Sequence, residues 1–408
     1  MTPIKETVMP QEPPVRRAKV LQIFSRYLKY GGEEGSVHRI GQEMQKQFDV
    51  DGFVISSEDM LKGGKLKKAL LPIRTYYNYD ILKQLEATHL TGDYDFWQVH
   101  NVFPAISPGA YTLAARLDVP IIHYLHNYRF GCVNGFLFTQ GQECRKCLQG
   151  NFIHGALGKC WRDSYAQSSM MALLLADTKR RGLFEQVRRW VAISQAQKEL
   201  HVYMGIPEDR IDVVHHFYES PENILPPPFP EDGHALFVGR LSPEKGVAHL
   251  LRAWKYLPAH RKLIIMGDGP EYIPLQQMAM ETGLSNVTFT GFVKHADQKK
   301  YWEGAAFSIV PSIWQEPFGM VVLESWAKGR PVVAHRIGAL PEIIHDGEDG
   351  FLADPHDEKN LAEILEHSFS QGSHLARMGQ KGLERLKTDY SSQRWLEEIN
   401  GVYQRAQS

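Results

Sequence analysis

The sequence predicts an α/β protein of two Rossmann-like, doubly wound domains that face each other across a cleft. Three observations predict it. The chain has 408 residues, which at roughly 100–200 residues per domain makes two domains. Short β-branched runs alternate with amphipathic stretches, the pattern of parallel sheets covered by helices. Residues 219–232, ESPENILPPPFPED, hold five prolines, which fix φ and remove backbone donors, so this segment reads as a linker. The expected divisions are a solvated tail over 1–17, a first domain over 18–218, the linker over 219–232, a second domain over 233–388 and a terminal helix over 389–408.

Composition narrows the function classes. Hydrophobic residues make 43% and charged residues 23% of the chain, which excludes disorder, collagen and coiled coil. There is no run of about 18 apolar residues to span a bilayer. The N-terminus lacks the apolar stretch of a secretory signal, so a cytoplasmic location is expected. A net charge of −1 argues against nucleic acid as a partner. The halves differ slightly: 1–218 carries 27 Lys and Arg against 22 Asp and Glu, and the remainder 19 against 25. The basic half is the one expected to face something anionic.

The second half is the more regular. Strands are predicted at 235–239, 263–266, 287–290, 307–310 and 331–334, with a helix over 247–257. In the first half strands are predicted at 20–24, 53–56, 96–100, 121–125 and 191–194, with a helix from about Val37 to Phe48. Ligands of such sheets bind beyond the carboxyl ends of the strands.

Several motifs fall at those ends. Gly31-Gly32 follows the first strand and suits close approach of a phosphate to backbone N–H groups; a plain turn is the alternative. The spacing is not G-x-G-x-x-G, which excludes a dinucleotide oxidoreductase. Arg240 and Lys245 in GRLSPEKG flank a turn after a buried strand and suit a diphosphate; two solvated loop cations are the alternative. In EPFGMVVLE, Glu316 precedes a helix that starts at Met320, and Glu324 lies on its second turn. Two carboxylates facing one cleft can accept several sugar hydroxyls. The N–H groups of Gly319, Met320 and Val321 stand at the helix start, where an anion is favoured.

Together, EPFGMVVLE, FVGRLSPEKG, MGDGP, VTFTGFV and PVVAHRIGALPEIIHDGEDGFL resemble the retaining glycosyltransferases of family 4, which have the GT-B fold. In the first half the glycine pair, VHNVFPAISP and YLHNYRFGCVNG carry the likeness. The resemblance implies that a sugar moves from a nucleotide-diphosphate sugar to an acceptor hydroxyl with retention of configuration. It implies that Gly31, Gly32, Arg240, Lys245, Val293, Gly319, Met320, Val321 and Glu324 bind the donor. Glu324 would take the ribose hydroxyls, and Val293 would lie near the base. Glu316 and His126 would serve the transferred sugar as catalytic residues. The terminal helix, with Trp395, Leu396, Ile399 and Tyr403 on one face, would cross back to the first domain. No clear Asp-x-Asp metal motif is read in the sequence. Catalysis is therefore expected to need no cofactor, with Arg240 and Lys245 stabilising the departing diphosphate. An epimerase or phosphorylase on the same fold, or a catalytically silent nucleotide-sugar-binding subunit, are the competing readings.

Three further features are open. His100, Asn101 and Ser107 end a first-half strand and are candidates for the acceptor side, the acceptor being a saccharide, a lipid-linked or a small molecule. Lys62, Lys65, Lys67, Lys68 and Arg74 form a basic stretch that suits either peripheral contact at the inner face of a membrane or a solvated helix face. The four cysteines, Cys132, Cys144, Cys147 and Cys160, fall as C-x(11)-C-x(2)-C-x(12)-C, the composition of a structural zinc site. Free thiols and disulfides are the other two readings, and the latter are disfavoured in a reducing compartment.

Overall fold

The computed structural model describes residues 16–26, 32–58, 71–219, 229–230 and 232–407. Gly31, the tail before Arg16, most of the proline-rich segment and Lys62, Lys65, Lys67 and Lys68 lie outside these residues. Arg74 is described and pairs with Asp80 at 3.4 Å.

The first domain is one six-stranded parallel sheet. In chain order its strands are β1 (Lys19–Arg26), β2 (Asp49–Ser56), β3 (Phe96–Asn101) and β4 (Ile121–Leu125). A short hairpin of β5 (Phe138–Thr139) and β6 (Gln142–Glu143) stands apart, and β7 (Val187–Ala192) and β8 (Ile211–Val213) complete the sheet. The spatial order is β2-β1-β3-β4-β7-β8. Strands β3 and β4 are buried along their whole length, as central strands of a parallel sheet are, and they carry the polar Gln98, His100, Asn101 and His123 inside. The second domain holds β9 (His234–Val238), β10 (Leu263–Met266), β11 (Val287–Gly291), β12 (Ala305–Val310), β13 (Val332–His335) and β14 (Gly350–Ala353). Its order is β11-β10-β9-β12-β13-β14, again all parallel. In each sheet the order reverses once, beside β1 and beside β9, and a crevice opens at the carboxyl ends there.

Three predicted elements need correction. The strand expected at 191–194 is β7, ending at Ala192. Ser194 is instead an N-cap, its Oγ accepting from the Gln197 N–H at 3.1 Å to start the helix Gln195–Tyr203. The strand expected at 53–56 begins at Asp49, because an edge strand pairs on one side only and tolerates a polar start. The helix expected from Val37 begins at Gly32. Strands β8 and β14 were not predicted; at three and four residues neither is long enough to show a period.

The terminal helix, Ser392–Gln407, does cross back to the first domain. Trp395, Leu396, Ile399, Val402, Tyr403 and Ala406 are buried along one face. Tyr403 packs against Phe48 and Phe96, at 4.6 and 5.0 Å between ring centres. Trp395 packs on Phe217 at 4.9 Å. Arg405 pairs with Asp212 at 2.9 Å, and Arg188 donates to the Ala406 carbonyl at 3.3 Å. Among the described residues no helix is long and apolar enough to cross a membrane.

Trp395 joins the last helix to the first domain, so Trp395→Ala is expected to remove about 3–5 kcal/mol. Urea unfolding followed by fluorescence should show an earlier midpoint, with the first domain losing its structure first.

Candidate active site

The second domain builds its half of the site around one buried carboxylate. Glu316 lies six residues beyond β12 and is only 6% exposed. Lys245, in the turn that follows β9, donates to both of its oxygens at 2.8 and 3.1 Å. Ser312 Oγ and Trp314 Nε1 donate to the same Oε2 at 2.7 and 3.0 Å. Burial pushes this carboxyl up, but the Lys245 ammonium, Ser312 and Trp314 outweigh it and hold it below the ordinary carboxylate range. Glu316 is therefore charged. The ammonium also sits 5.2 Å from the centre of the Trp314 ring.

Two glycines make this approach geometrically available. Gly338 has φ +58°, and a Cβ there would stand 2.4 Å from the Glu316 nitrogen and 2.5 Å from its carbonyl oxygen. The next residue, Ala339, donates its N–H to that carbonyl at 2.9 Å. Gly246, at φ +70°, would place a Cβ 1.8 Å from the Pro311 carbonyl oxygen. Side chains at either position would push the loops apart.

Gly319, at φ +104°, precedes the helix Met320–Trp326. Glu324 on that helix is partly exposed. Burial pushes its carboxyl up to about 7, against the charges of Arg39 and Lys328. Arg240 is exposed at the end of β9, and Val293 is half-buried beyond β11.

The first domain contributes a histidine cluster. His126 follows β4, and its Nε2 lies 2.8 Å from His100 Nδ1. Its ring stacks on Tyr124 at 5.7 Å and on His216 at 5.9 Å. Burial pushes the His126 imidazole down to about 3, so it is neutral. Gly32 begins the helix Gly32–Met44, and the adjacent Glu33 accepts from Asn127 Nδ2 at 3.2 Å. Burial raises the Glu33 carboxyl to about 7, against Asn127 and Arg129.

The two halves meet through a short aromatic bridge. Phe318 of the EPFG turn contacts His216 edge-on at 5.3 Å, and His216 stacks on His126. Ser194 Oγ donates to the Pro317 carbonyl at 2.8 Å. Glu342 accepts from the Gln195 N–H at 2.8 Å and from His215 Nε2 at 2.7 Å, capping a first-domain helix with a second-domain carboxylate.

With this geometry in hand, comparison places the chain. A family profile described as "Glycosyltransferase Family 4" matches residues 30–219, and one described as "Glycosyl transferases group 1" matches residues 226–385. The chain has the GT-B fold, and each of its halves is similar to a glycosyltransferase family. It is 26% identical over 335 residues to a D-inositol 3-phosphate glycosyltransferase of Thermobifida fusca, across 78% of this chain and 70% of that one. It is 39% identical over 130 residues to an uncharacterized glycosyltransferase of Methanocaldococcus jannaschii, across 31% and 33%. The matches take in only 17%, 33% and 47% of three curated relatives. The fold is similar to that of Anabaena HepE solved in complex with UDP and glucose, at TM-score 0.67 and 18% identity, over 95% of this chain and 100% of that one.

Within this GT-B fold, some expected site residues hold different posts. His100, Asn101 and Ser107 are buried at 2%, 5% and 0% exposure, which removes them from direct acceptor contact. Asn101 Nδ2 donates to the Ser25 and Phe103 carbonyls, and its Oδ1 accepts from the Phe103 N–H. Ser107 Oγ accepts from the Asn78 N–H. Burial, with the other cysteines close by, pushes the Cys147 thiol up to about 12 and raises that of Cys160. All four are free thiols, and among the described residues no group of three or more His, Cys, Asp or Glu is arranged for a metal. Cys132 and Cys147 are drawn into separate apolar clusters, and Cys132 Sγ donates to Asn134. Their loop instead reaches the second domain, where Gln315 Nε2 donates to Glu143 at 2.9 Å and Phe136 meets Trp314 at 5.5 Å. Asp-x-Asp pairs do occur at 49–51 and 93–95, but Asp49 starts β2 and Asp95 precedes β3, at the edge opposite the cleft.

Sequence reading missed Arg39, Ser312, Trp314, His216 and Glu342. Arg39 had a signal: it lies seven residues after Gly32, two helical turns along the same face.

Breaking the Lys245–Glu316 pair leaves a buried carboxylate with neutral donors only. Lys245→Met should lower stability by less than the roughly 3–5 kcal/mol of a fully buried pair, since Lys245 keeps 28% of its side chain exposed. The pair holds the folded-state pKa of Glu316 below its unfolded value, so its stabilisation is present at neutral pH and lost as pH falls through the acid range. Thermal melts should show the two proteins furthest apart at neutral pH and converging below it.

Proposed function

We propose that the chain transfers a sugar from a nucleotide-diphosphate sugar to an acceptor hydroxyl, with retention and without a catalytic metal. The observation that carries this is the meeting of the EPFG turn and the first-domain histidines through Phe318, His216 and His126. It brings the turn that follows Glu316 toward the neutral imidazole of His126, beyond the carboxyl ends of two parallel sheets, and so supports this reading.

The roles follow from the chemistry. Arg240 and Lys245 take the diphosphate, together with backbone N–H groups at Gly319–Val321. Glu324 takes the ribose hydroxyls, and Val293 borders the base. Glu316 and His126 hold the transferred sugar. Gly32 lets a phosphate approach from the first domain. The cations and peptide dipoles stabilise the departing diphosphate, and its oxygen takes the acceptor proton on the face it leaves. The UDP bound to Anabaena HepE supports a uridine donor as the first to test. Closure of the domains excludes water from the reacting sugar.

A thermal-shift panel of nucleotide sugars tests the donor. A ligand at 100 times its dissociation constant adds roughly 2.7 kcal/mol, and no shift with any member counts against the reading. The anomeric configuration of the product, read by NMR, tests retention.

Two outcomes are expected from the glutamates. Glu324→Ala should weaken both free nucleotide diphosphate and donor, whereas Glu316→Ala should spare the free nucleotide and damage transfer. Equal loss of bare nucleotide in both variants refutes this division. Binding should also depend on pH through Glu324, whose carboxyl titrates at about 7. Ribose hydroxyls donate to the anion, so binding favours the deprotonated form. Affinity should be full above pH 7 and fall below it, by up to about tenfold per pH unit, and Glu324→Gln should flatten the profile in titration calorimetry.

A further inference from the structure

We propose that a buried hydrogen-bond relay, Gln22 and Gln98 to His100 to His126, fixes His126 as the tautomer that carries its proton on Nδ1. His126 then serves as a hydrogen-bond donor in the cleft rather than as a base. His100, Gln22 and Gln98 are positioning residues in this account, and Tyr403 of the terminal helix anchors the far end.

The assignment follows from which groups can only donate and which can only accept. The Val37 carbonyl only accepts, and Gln22 Nε2 donates to it at 3.1 Å. That contact fixes the Gln22 amide so that the same nitrogen, 3.0 Å from His100 Nε2, presents its second hydrogen there. Gln98 agrees with that assignment without fixing it: its Oε1 accepts from the Tyr403 hydroxyl at 2.6 Å, and its amide nitrogen lies 2.9 Å from His100 Nε2. Two amide donors converge on one ring nitrogen, so that nitrogen must hold a lone pair. The proton of neutral His100 is therefore on Nδ1. It is donated across 2.8 Å to His126 Nε2, which must in turn hold a lone pair. The remaining hydrogen of His126 is on Nδ1.

The relay cannot easily relax. Gln22, Gln98, His100 and Tyr403 are 8%, 0%, 2% and 3% exposed, so no bulk water competes for these groups. A second proton on His100 would point at two amide donors. Burial, with His126, His123 and His216 close by, also disfavours a charged ring there. Rotating the His126 ring by half a turn would put carbon where Nε2 now accepts, inside a stack formed with Tyr124 and His216. His126 is itself partly exposed, and Nδ1 is the ring nitrogen left for a ligand. A fixed N–H suits a sugar oxygen, and it suits best an oxygen that gains negative charge as the glycosidic bond breaks. The functional half of the proposal rests on His126 facing the transferred sugar.

The test reads the tautomer directly. Full-length protein labelled with 15N-histidine is studied without substrate by long-range proton–nitrogen NMR, with His126 identified by its loss in His126→Asn. The expected pattern is a protonated Nδ1 and a bare Nε2 on His126. The reverse pattern in the wild type overturns the proposal. His100→Phe removes the donor, so His126 should exchange between tautomers; transfer should lose roughly tenfold or more in kcat, while the dissociation constant for UDP stays unchanged. His100→Asn returns an amide N–H to the position of Nδ1 and should restore the single tautomer and most of the turnover. A His126 tautomer that persists in His100→Phe overturns the relay even if activity falls. Should the wild type transfer no sugar at all, the function proposed above fails while the NMR still decides the relay.

Discussion

A carboxylate that gives up its water must be compensated from within the protein, and Glu316 imposes that condition on the whole cleft. Its partners come from three segments: Lys245 after β9, Ser312 and Trp314 after β12, and the Gly338–Ala339 backbone after β13. The requirement explains why β9 and β12 are sheet neighbours at the point where strand order reverses, and why Gly246 and Gly338 leave no room for a side chain. It also makes the pocket competitive. A phosphate that reaches Lys245 meets an ammonium already shared between the two oxygens of Glu316. In the function proposed above, donor binding would exchange one charge-assisted contact for another and leave Glu316 freer to accept sugar hydroxyls.

The second domain was largely legible because its chemistry is local. GRLSPEKG and EPFGMVVLE each keep strand, turn and charged residue within ten positions, and β10 was predicted to the residue. The long-range partnership between Lys245 and Glu316, 71 residues apart, was not legible: the sequence assigned them to different parts of one ligand. Trp314 and Ser312 were invisible for a simpler reason. A side chain that donates to a buried acid has no periodic signature.

The first domain was harder to read because its functional groups are assembled across the sheet. His100, Gln98 and Gln22 lie on β3 and β1, and only the parallel register brings them together. A histidine at the end of a strand looks like a ligand contact in a linear sequence, yet here His100 is buried behind His126, and only His126 keeps part of its surface exposed. The cysteine segment was legible as a cluster but not in its packing. Four thiols in one short stretch look like a shell for a metal, while packing divides Cys132 and Cys147 between two apolar clusters and turns their loop toward Trp314.

The chain passes between the domains twice, after Tyr218 and again at Tyr390. The two passages lie side by side: the Tyr218 N–H donates to the Tyr390 carbonyl at 3.2 Å, and Ser392 Oγ donates to Glu219 at 2.7 Å. Two tethers fixed far apart would resist relative rotation, and a single tether would let the lobes swivel in any direction. Two tethers bound together behave as one pin. The lobes therefore turn about that one place. The Glu342 cap and the Phe318–His216 contact lie near that pin, where a small angle moves them little, while the same angle swings the distant rim of the cleft through a much larger arc.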